Sequence, residues 1–499
     1  MRNAINPLSS KNSGFGYLNS LGSEIFKMTL LMFFLLLTVA DAMAQGKVFK
    51  AGASISNITP SLGGGIIGNF GNPPPAQHIH DQLHVRSLVL DDGSTQLVFV
   101  VIDNLHVDRE VLDEAKRMIH EKTNLPLSNM LMSATHTHSA TRAGGAGSGS
   151  TNNNPLADYR TFMISRIVDG VEIALNNLQP ARIGWGVGSV PQHVFNRRWK
   201  MKTPVVNPFG EKDLVRMNPG VGNPEIVEPA GPTDPEVSFI SVQSVDGLPI
   251  GLLANYSLHY VGGVPNNDIS ADYFAVFADR IQELLGADRQ DPPFVGMMSN
   301  GTSGDINNIN FRGPAEKNAP YAKMQVVAND VATEVARVYK TIEYKDWVQL
   351  KAAQSELSLE VRKPTADLLA HTRKVLARGA DEDPLQHPLE RTYAERVMTI
   401  QKDWPDNISV VMQAFRIGDL AIAAIPFETF AEIGLELKSK SPFKQSFTIS
   451  LANGSYGYLP TPEQHEMGGY ETWLGTNRVE KNASRKIVSE LLHLFSSLK

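Results

Sequence analysis

Not one of the 499 residues is cysteine. Disulfide scaffolds, thiolate zinc fingers, iron–sulfur clusters and cysteine nucleophiles are therefore excluded, and any bound metal must rest on His, Asp, Glu or Tyr. Long Lys/Arg clusters are missing too, and the net charge is −6, which argues against nucleic acid as a partner. No apolar run reaches the roughly 20 residues of a membrane-spanning helix, and no repeat with a period of roughly 20–50 residues is visible. What is present is an ordinary globular composition. Apolar residues make up 42% of the chain, enough for a large core and too many for a disordered polymer.

The first 44 residues differ from the rest. Lys27 precedes the apolar run Met28–Ala40, and Ala42-Met43-Ala44 offers a small-x-small cleavage site before Gln45. This is the layout of a secretory signal, so residues 1–44 are expected to be a leader and the mature protein to be secreted or periplasmic.

From about residue 86, apolar runs of strand length alternate with segments of helical period. Arg86–Leu90 and Gln96–Asp103 read as a hairpin around Asp91-Asp92-Gly93. Asp108–Thr123 puts Val111, Ala115, Met118 and Ile119 on one face, and Asn129–Ala134 returns as a strand, which makes a βαβ-like unit. Further strands are expected at Arg182–Val187, Glu236–Val242, Ile250–Ser257, Phe294–Ser299, Val348–Leu357, Ser409–Ile417, Leu420–Ile425 and Phe447–Leu451. Helices are expected at Tyr159–Asn177, Ala271–Leu285, Pro320–Tyr339, Leu389–Asp403, Thr429–Ser439 and Val479–Leu498. The mixture predicts an α/β or α+β layered fold, its sheets covered by helices and both sheet faces buried. Gly144–Pro155 and Met201–Pro235 read as irregular loops close to an active site.

The chemistry begins at Met132–Ala140 (MSATHTHSA), where a buried strand runs into His136-Thr137-His138. Residues two apart on an extended chain point the same way, so both imidazoles can face one pocket, and that spacing suits zinc. Three other apolar strands end on polar groups: Gly251–Leu258 delivers His259, Leu420–Pro426 delivers Glu428, and Phe447–Leu451 leads into Asn453–Tyr458. Taken singly, each has a structural explanation: a core imidazole, a carboxylate at a helix N-terminus, a packed Tyr. Together they propose two His and a carboxylate beyond the carboxyl ends of strands, a catalytic zinc set with room for water.

These motifs resemble the neutral/alkaline ceramidases, in order along the mature chain. Ala51–Pro60 (AGASISNITP) is similar to the family's opening strand and turn, Ser133–Ser139 (SATHTHS) to its signature, and Asn196-Arg197-Arg198 to its Asn-Arg-Ser element. His259, Ser270–Tyr273 (SADY), Ser303–Asn307 (SGDIN), Pro426–Glu428 and Asn453–Glu471 (NGSYGYLPTPEQHEMGGYE) follow. The last is the most specific. The resemblance implies zinc bound by His136, His259, Glu428 and Tyr458, with His138 moving the proton and Arg197 and Tyr470 donating to an oxyanion. It also implies cleavage of the N-acyl amide of ceramide-like lipids by metal-activated water, with a lipid or other acyl amide as the partner and transient contact with a membrane surface.

The chain departs from the family in three places. Asn307, in Gly304-Asp305-Ile306-Asn307-Asn308, stands where ceramidases carry a Ser proposed as nucleophile, and an amide cannot form an acyl intermediate. The family's Gly-Ala-Ser-Thr-Leu-Tyr-Gly stretch is replaced around Thr472-Trp473-Leu474-Gly475. The chain ends soon after Val479–Leu498, so residues 45–499 are expected to be one catalytic domain without the family's carboxy-terminal Ig-like domain. These losses keep two alternatives open: a zinc hydrolase of another N-acyl or O-acyl compound, such as a carbohydrate-linked one, and a non-catalytic binding protein that retains the pocket. A TIM-barrel amidohydrolase is disfavoured because His136 follows several strands, and a metallo-β-lactamase because Ser139-Ala140 follows the HxH.

Smaller expectations attach to other polar residues. His78, His80, Asp81 and His84 suggest a rim loop or a second metal site. Asp103 suggests a carboxylate behind a ligand imidazole or a cap for the following helix, Asp305 a similar support behind Asn307. His371, His387, His465 and His493 read as surface residues.

Overall fold

The strand Gln96–Ile102 is apolar on both of its faces, and every one of its residues after Gln96 is buried. A strand of that kind must lie between two packed layers. In the computed structural model, which describes residues 47–68, 72–142, 155–379 and 382–499, it lies near one end of an eight-stranded sheet. In chain order the strands are β1 (Lys50–Asn57), β2 (His84–Asp91), β3 (Gln96–Ile102), β4 (Met130–Ala134), β5 (Gln179–Ser189), β6 (Glu236–Ser244), β7 (Pro249–Tyr256) and β8 (Val295–Asn300). Their spatial order is β8-β7-β6-β5-β1-β2-β3-β4. A second sheet holds β9 (Leu350–Glu360), β10 (Asn407–Ile417), β11 (Leu420–Ile425) and β12 (Gln445–Ser450), in that order.

The fold is mixed α/β, with one refinement of the expected layering. The two sheets face each other. Leu88, Phe99, Val101, Leu253 and Met297 of the large sheet share one core with Phe415, Ile422, Ala424 and Phe447 of the small one, and the rings of Phe99 and Phe415 meet at 5.4 Å. Truncating either ring to Ala costs about 3–5 kcal/mol by the usual cavity arithmetic. Both faces of each sheet are covered, as expected, one by helices and the other by the opposing sheet.

On the large sheet's outer face, α1 (Arg109–Thr123) and α2 (Pro155–Asn176) pack at one end. Helices α3 (Asp272–Leu284) and α4 (Ala322–Tyr339) pack at the other. α1 buries Val111, Leu112, Ala115 and Ile119, the stripe that a 3.6-residue period dictates, and stops at Asn124, left-handed at φ 61. The outer face of the small sheet carries α7 (Ala431–Lys440) and α9 (Ala483–Ser497). Between these elements lie α5 (Ala366–Leu376), α6 (Glu390–Asp403) and the short α8 (Pro462–Met467). No helix among the described residues is long and apolar enough to cross a membrane.

One arrangement recurs three times. An antiparallel hairpin is followed by a helix and a parallel strand in β2-β3-α1-β4, in β6-β7-α3-β8 and in β10-β11-α7-β12. The repeat is one of backbone topology, invisible as sequence similarity.

Two expectations are corrected. Met201–Pro235 contains most of a three-stranded antiparallel sheet of Arg198–Val206, Lys212–Met217 and Ile226–Pro229; only Lys212–Met217 alternates buried and exposed residues, so the period-2 signal is too short to read. Asp103 neither orients an imidazole nor caps α1: it pairs with the buried Arg86 at 2.6 Å and accepts the His84 amide. The expected leader (1–44) and nearly all of the Gly144–Pro155 loop lie outside the described residues.

Candidate metal and active site

The carboxyl ends of the parallel pairs converge. His136 follows β4, His259 follows β7, Glu428 follows β11, and Tyr458 follows β12. Glu428 and Tyr458 are partners in a short parallel bridge, which sets the two side chains next to each other. Gly304 passes so close to this bridge that a Cβ there would fall 2.5 Å from the Glu428 carbonyl oxygen, so only glycine permits the approach.

His136 has φ 76, a left-handed backbone that costs a non-glycine residue about 1–3 kcal/mol. The strand has already ended at Ala134. The His136 and His138 rings do converge, with centroids 4.7 Å apart at 87°, but through this turn and not through the alternation of an extended chain. The His136 amide donates to Asn104 O and the Thr135 amide to Ile102 O, which pins the turn against the end of β3.

The orientation of two imidazoles is set by backbone carbonyls. His136 Nδ1 lies 2.8 Å from Leu105 O, and His259 Nδ1 lies 3.1 Å from Ser303 O. A carbonyl only accepts, so each Nδ1 carries the proton and each Nε2 is a bare lone pair. Those Nε2 atoms are 2.9 Å apart. The Glu428 Oε2 lies 3.2 Å from His136 Nε2 and 3.9 Å from His259 Nε2, and no hydrogen-bond donor reaches it. The third imidazole, His138, brings its Nε2 to 3.2 Å from His136 Nε2, and the three ring nitrogens lie within 4.8 Å of one another. A buried carboxylate oxygen without a donor, facing converging lone pairs, is the donor set of a cation site. The residues fit a divalent cation.

Burial, then the neighbouring His136, holds His138 and His259 well below the usual imidazole range, so both are neutral. Burial also pushes the Tyr458 hydroxyl well up and Tyr470 up to about 12. His138 is the least buried of the three imidazoles. Its ring stacks on Tyr260 at 3.7 Å, and a Cβ at Gly68 would strike that ring at 2.8 Å.

Arg197 sits behind the cluster. Its Nη2 donates to Tyr458 Oη at 3.0 Å and its Nε to Glu471 Oε1 at 2.9 Å. Glu471 also binds Arg198 at 2.6 Å, and it is fully buried. This carboxylate, bridging two buried guanidiniums, had no role in the sequence reading, although it closes the specific Asn453–Glu471 motif. Tyr470, the residue before it, brings its ring to 5.7 Å from that of Tyr458.

A cavity of about 400 Å3 opens above the cluster, lined by His136, His138, Glu428, Tyr458 and Tyr470. His259 and Arg197 lie behind its wall. Asn307 does not line the cavity: its Nδ2 donates to Asn218 and its Oδ1 accepts the Ile309 amide, so its side chain bonds none of the cluster residues, while its backbone pairs with Phe195 just before Asn196 and Arg197. Asp305 supports α7, accepting the Ala431 amide, and also binds Asn196. His78, His80, Asp81 and His84 form no metal cluster among the described residues; His80 stacks on Tyr321 and Asp81 accepts from Ser270. His465, expected at the surface, is buried.

Comparison with known proteins adds the following. The family model for neutral/alkaline non-lysosomal ceramidase, N-terminal, matches residues 49–334. That span holds His136, His138, Arg197, His259 and Asn307, while Glu428, Tyr458 and Tyr470 lie beyond it and join the site through the fold. The chain is similar in structure to a neutral ceramidase from Pseudomonas aeruginosa, with a TM-score of 0.64 at 16% identity, over 90% of this chain and 74% of that one. It is similar also to a ceramidase complexed with C2, with a TM-score of 0.66 at 16% identity, over 90% of this chain and 75% of that one.

Proposed function

The chain belongs to the neutral/alkaline non-lysosomal ceramidase family, and from that membership and the site geometry we propose that it is a secreted, zinc-dependent hydrolase of the N-acyl amide bond in ceramide-like lipids. The observation that carries the reading is the convergence of two bare Nε2 atoms and the donor-free oxygen of Glu428. His136, His259, Glu428 and Tyr458 would hold the ion. A divalent cation there supplies Lewis acidity, polarising an acyl carbonyl and bringing the pKa of water near 7.

The remaining work falls to the protein's own side chains. His138, neutral and exposed to the cavity, takes a proton from the attacking water and returns it to the leaving nitrogen. Tyr470, on the cavity wall, donates to the oxygen on which charge develops. Arg197 is better placed to hold Tyr458 than to touch substrate, since two of its N–H groups are committed to Tyr458 and Glu471. Asn307 takes no covalent part. Secretion is supported by the apolar run Met28–Ala40 ahead of Ala42-Met43-Ala44, and a lipid substrate would bring transient contact with a membrane surface.

The test is release of fatty acid from a fluorescent ceramide by the purified protein, with metal content measured on the same sample. Stoichiometric zinc with turnover that a chelator abolishes supports the proposal. Stoichiometric zinc with no turnover of any acyl amide favours a binding protein. A second reading, the same hydrolysis on a more polar acyl compound, is favoured by the cavity wall, whose only aliphatic hydrocarbon side chain among the described residues is Leu105.

A further inference from the structure

The cavity above the cluster carries three guanidiniums, Arg142, Arg396 and Arg478. Among the described residues, Asp108 and Glu428 are its only carboxylates. Glu428 belongs to the cation cluster, and Asp108 pairs with Arg142 at 3.4 Å. Arg396 lies over the Tyr393 ring, its Cζ 4.9 Å from the ring centre. Arg478 lies over Trp404 at 5.2 Å and forms no ion pair among the described residues, although the charge of Glu428 acts on it. It is also close to the reacting centre. A Cβ on Gly457 would come within 3.1 Å of Arg478 Nη1, and Gly457 precedes Tyr458 and accepts the Glu428 amide through its carbonyl.

The two arginines of the C-terminal half also act on each other. Burial first, and then the charge of Arg396, lowers the Arg478 guanidinium from its usual value. A cavity built for two hydrocarbon chains has no use for such a wall, because lipid-binding cavities are lined mainly by apolar side chains. Guanidiniums that are partly desolvated and stacked on aromatic rings are the residues that recognise carboxylate, sulfonate or phosphate groups.

The geometry points to an acyl amide that carries an anionic group on its amine portion, held by Arg478 with Arg396 beside it, as the substrate class of this site. The inference rests on the hydrolase reading for its chemistry and follows the second of the two substrate readings, the more polar acyl compound, in place of a ceramide-like lipid. The amide C–N bond breaks, water gives its hydroxyl to the acyl carbon and a proton to the leaving nitrogen, and the acid so formed passes its proton to the amine, releasing a carboxylate and an anion-bearing ammonium.

The test separates the two readings by measuring binding and turnover independently. Calorimetry on the zinc-loaded full chain compares N-lauroylglycine with the isosteric neutral N-lauroylglycinamide; N-lauroyltaurine distinguishes a carboxylate from a sulfonate preference. Binding of the anionic member tighter by roughly tenfold or more is expected, the order of one charge-assisted hydrogen bond. Arg478→Met should reduce that ratio to near one, with retention of the cooperative thermal transition checked first. Should that variant fail to fold, Arg478→Lys, which keeps the charge and loses the fork, should lower the ratio partway. Equal or weaker binding of both anionic compounds by the wild-type chain overturns the inference, whether or not any amide is cleaved. Selective binding without cleavage leaves the anion site standing and removes both the hydrolase reading and the substrate assignment that rests on it. Faster cleavage of ceramide than of either anionic compound, with no selectivity in binding, keeps the hydrolase and removes the anion site.

Discussion

The Nε2 atoms of His136 and His259 face each other across 2.9 Å, and both Nδ1 protons are committed to backbone carbonyls. Two lone pairs at that distance repel, and the nearby Glu428 carboxylate adds negative charge. A cation relieves all three at once. Zinc should therefore stabilise the metal-free chain, by roughly 4 kcal/mol at a thousandfold excess over its dissociation constant. Differential scanning calorimetry should show the unfolding temperature rising with zinc in the wild type and not in His259→Ala. A His259→Ala chain that retains stoichiometric zinc and full turnover would sink the ligand assignment.

Glu471 is the single buried carboxylate shown bridging Arg197 and Arg198. Glu471→Ala leaves two buried guanidiniums without their partner, and breaking a buried pair in this way costs about 3–5 kcal/mol. Urea unfolding should show that loss. Glu471→Gln keeps one acceptor and should lose less. Because Arg197 also holds the Tyr458 hydroxyl, zinc affinity should weaken in step with the lost anchor.

Asn307→Ser installs the side chain that the family resemblance implies at this position. The present amide is tied to Asn218 and to the Ile309 backbone, with no bond toward the metal cluster. The exchange should therefore leave kcat/KM within about twofold, a change of less than 0.5 kcal/mol in barrier. A rise of roughly tenfold or more in ceramide hydrolysis would show that position 307 enters the reaction.

Asp305 titrates in the neutral range because burial pushes its carboxyl up to about 7, against partial opposition from the Ala431 amide and Asn196. Its ordinary value is 3.8, so the unfolded chain releases this proton first. Between roughly pH 4 and 7 the native state binds more protons, and stability falls as pH rises through that window. The contribution is at most about 4 kcal/mol. Thermal unfolding followed from pH 5 to 8 should fall more steeply in the wild type than in Asp305→Asn, and parallel curves would show that Asp305 is ionised throughout.

Much of the local architecture was legible from the chain. The runs QLVFVVI and LAIAAI are strands because apolar, β-branched residues without turn signals have no other economical conformation, and Val111, Ala115 and Ile119 mark one helical face. What remained hidden is which layer each face meets. A strand buried on both sides reads the same under a helix or under a second sheet, and the packing of β3 against β10 depends on residues more than 300 positions apart, such as Phe99 and Phe415.

By itself, the sequence determined the chemistry available: no thiolates, and imidazoles, carboxylates and phenols placed one by one at strand ends. Only the tertiary structure decided how those groups act together. The left-handed turn at His136, the carbonyls of Leu105 and Ser303 that hold the imidazole tautomers, and the buried Glu471 behind Arg197 leave no distinctive letter in the chain. The physical reason is that a carbonyl is common to every residue. Which one meets an imidazole is settled by where the ends of β3, β4, β7 and β11 arrive in space.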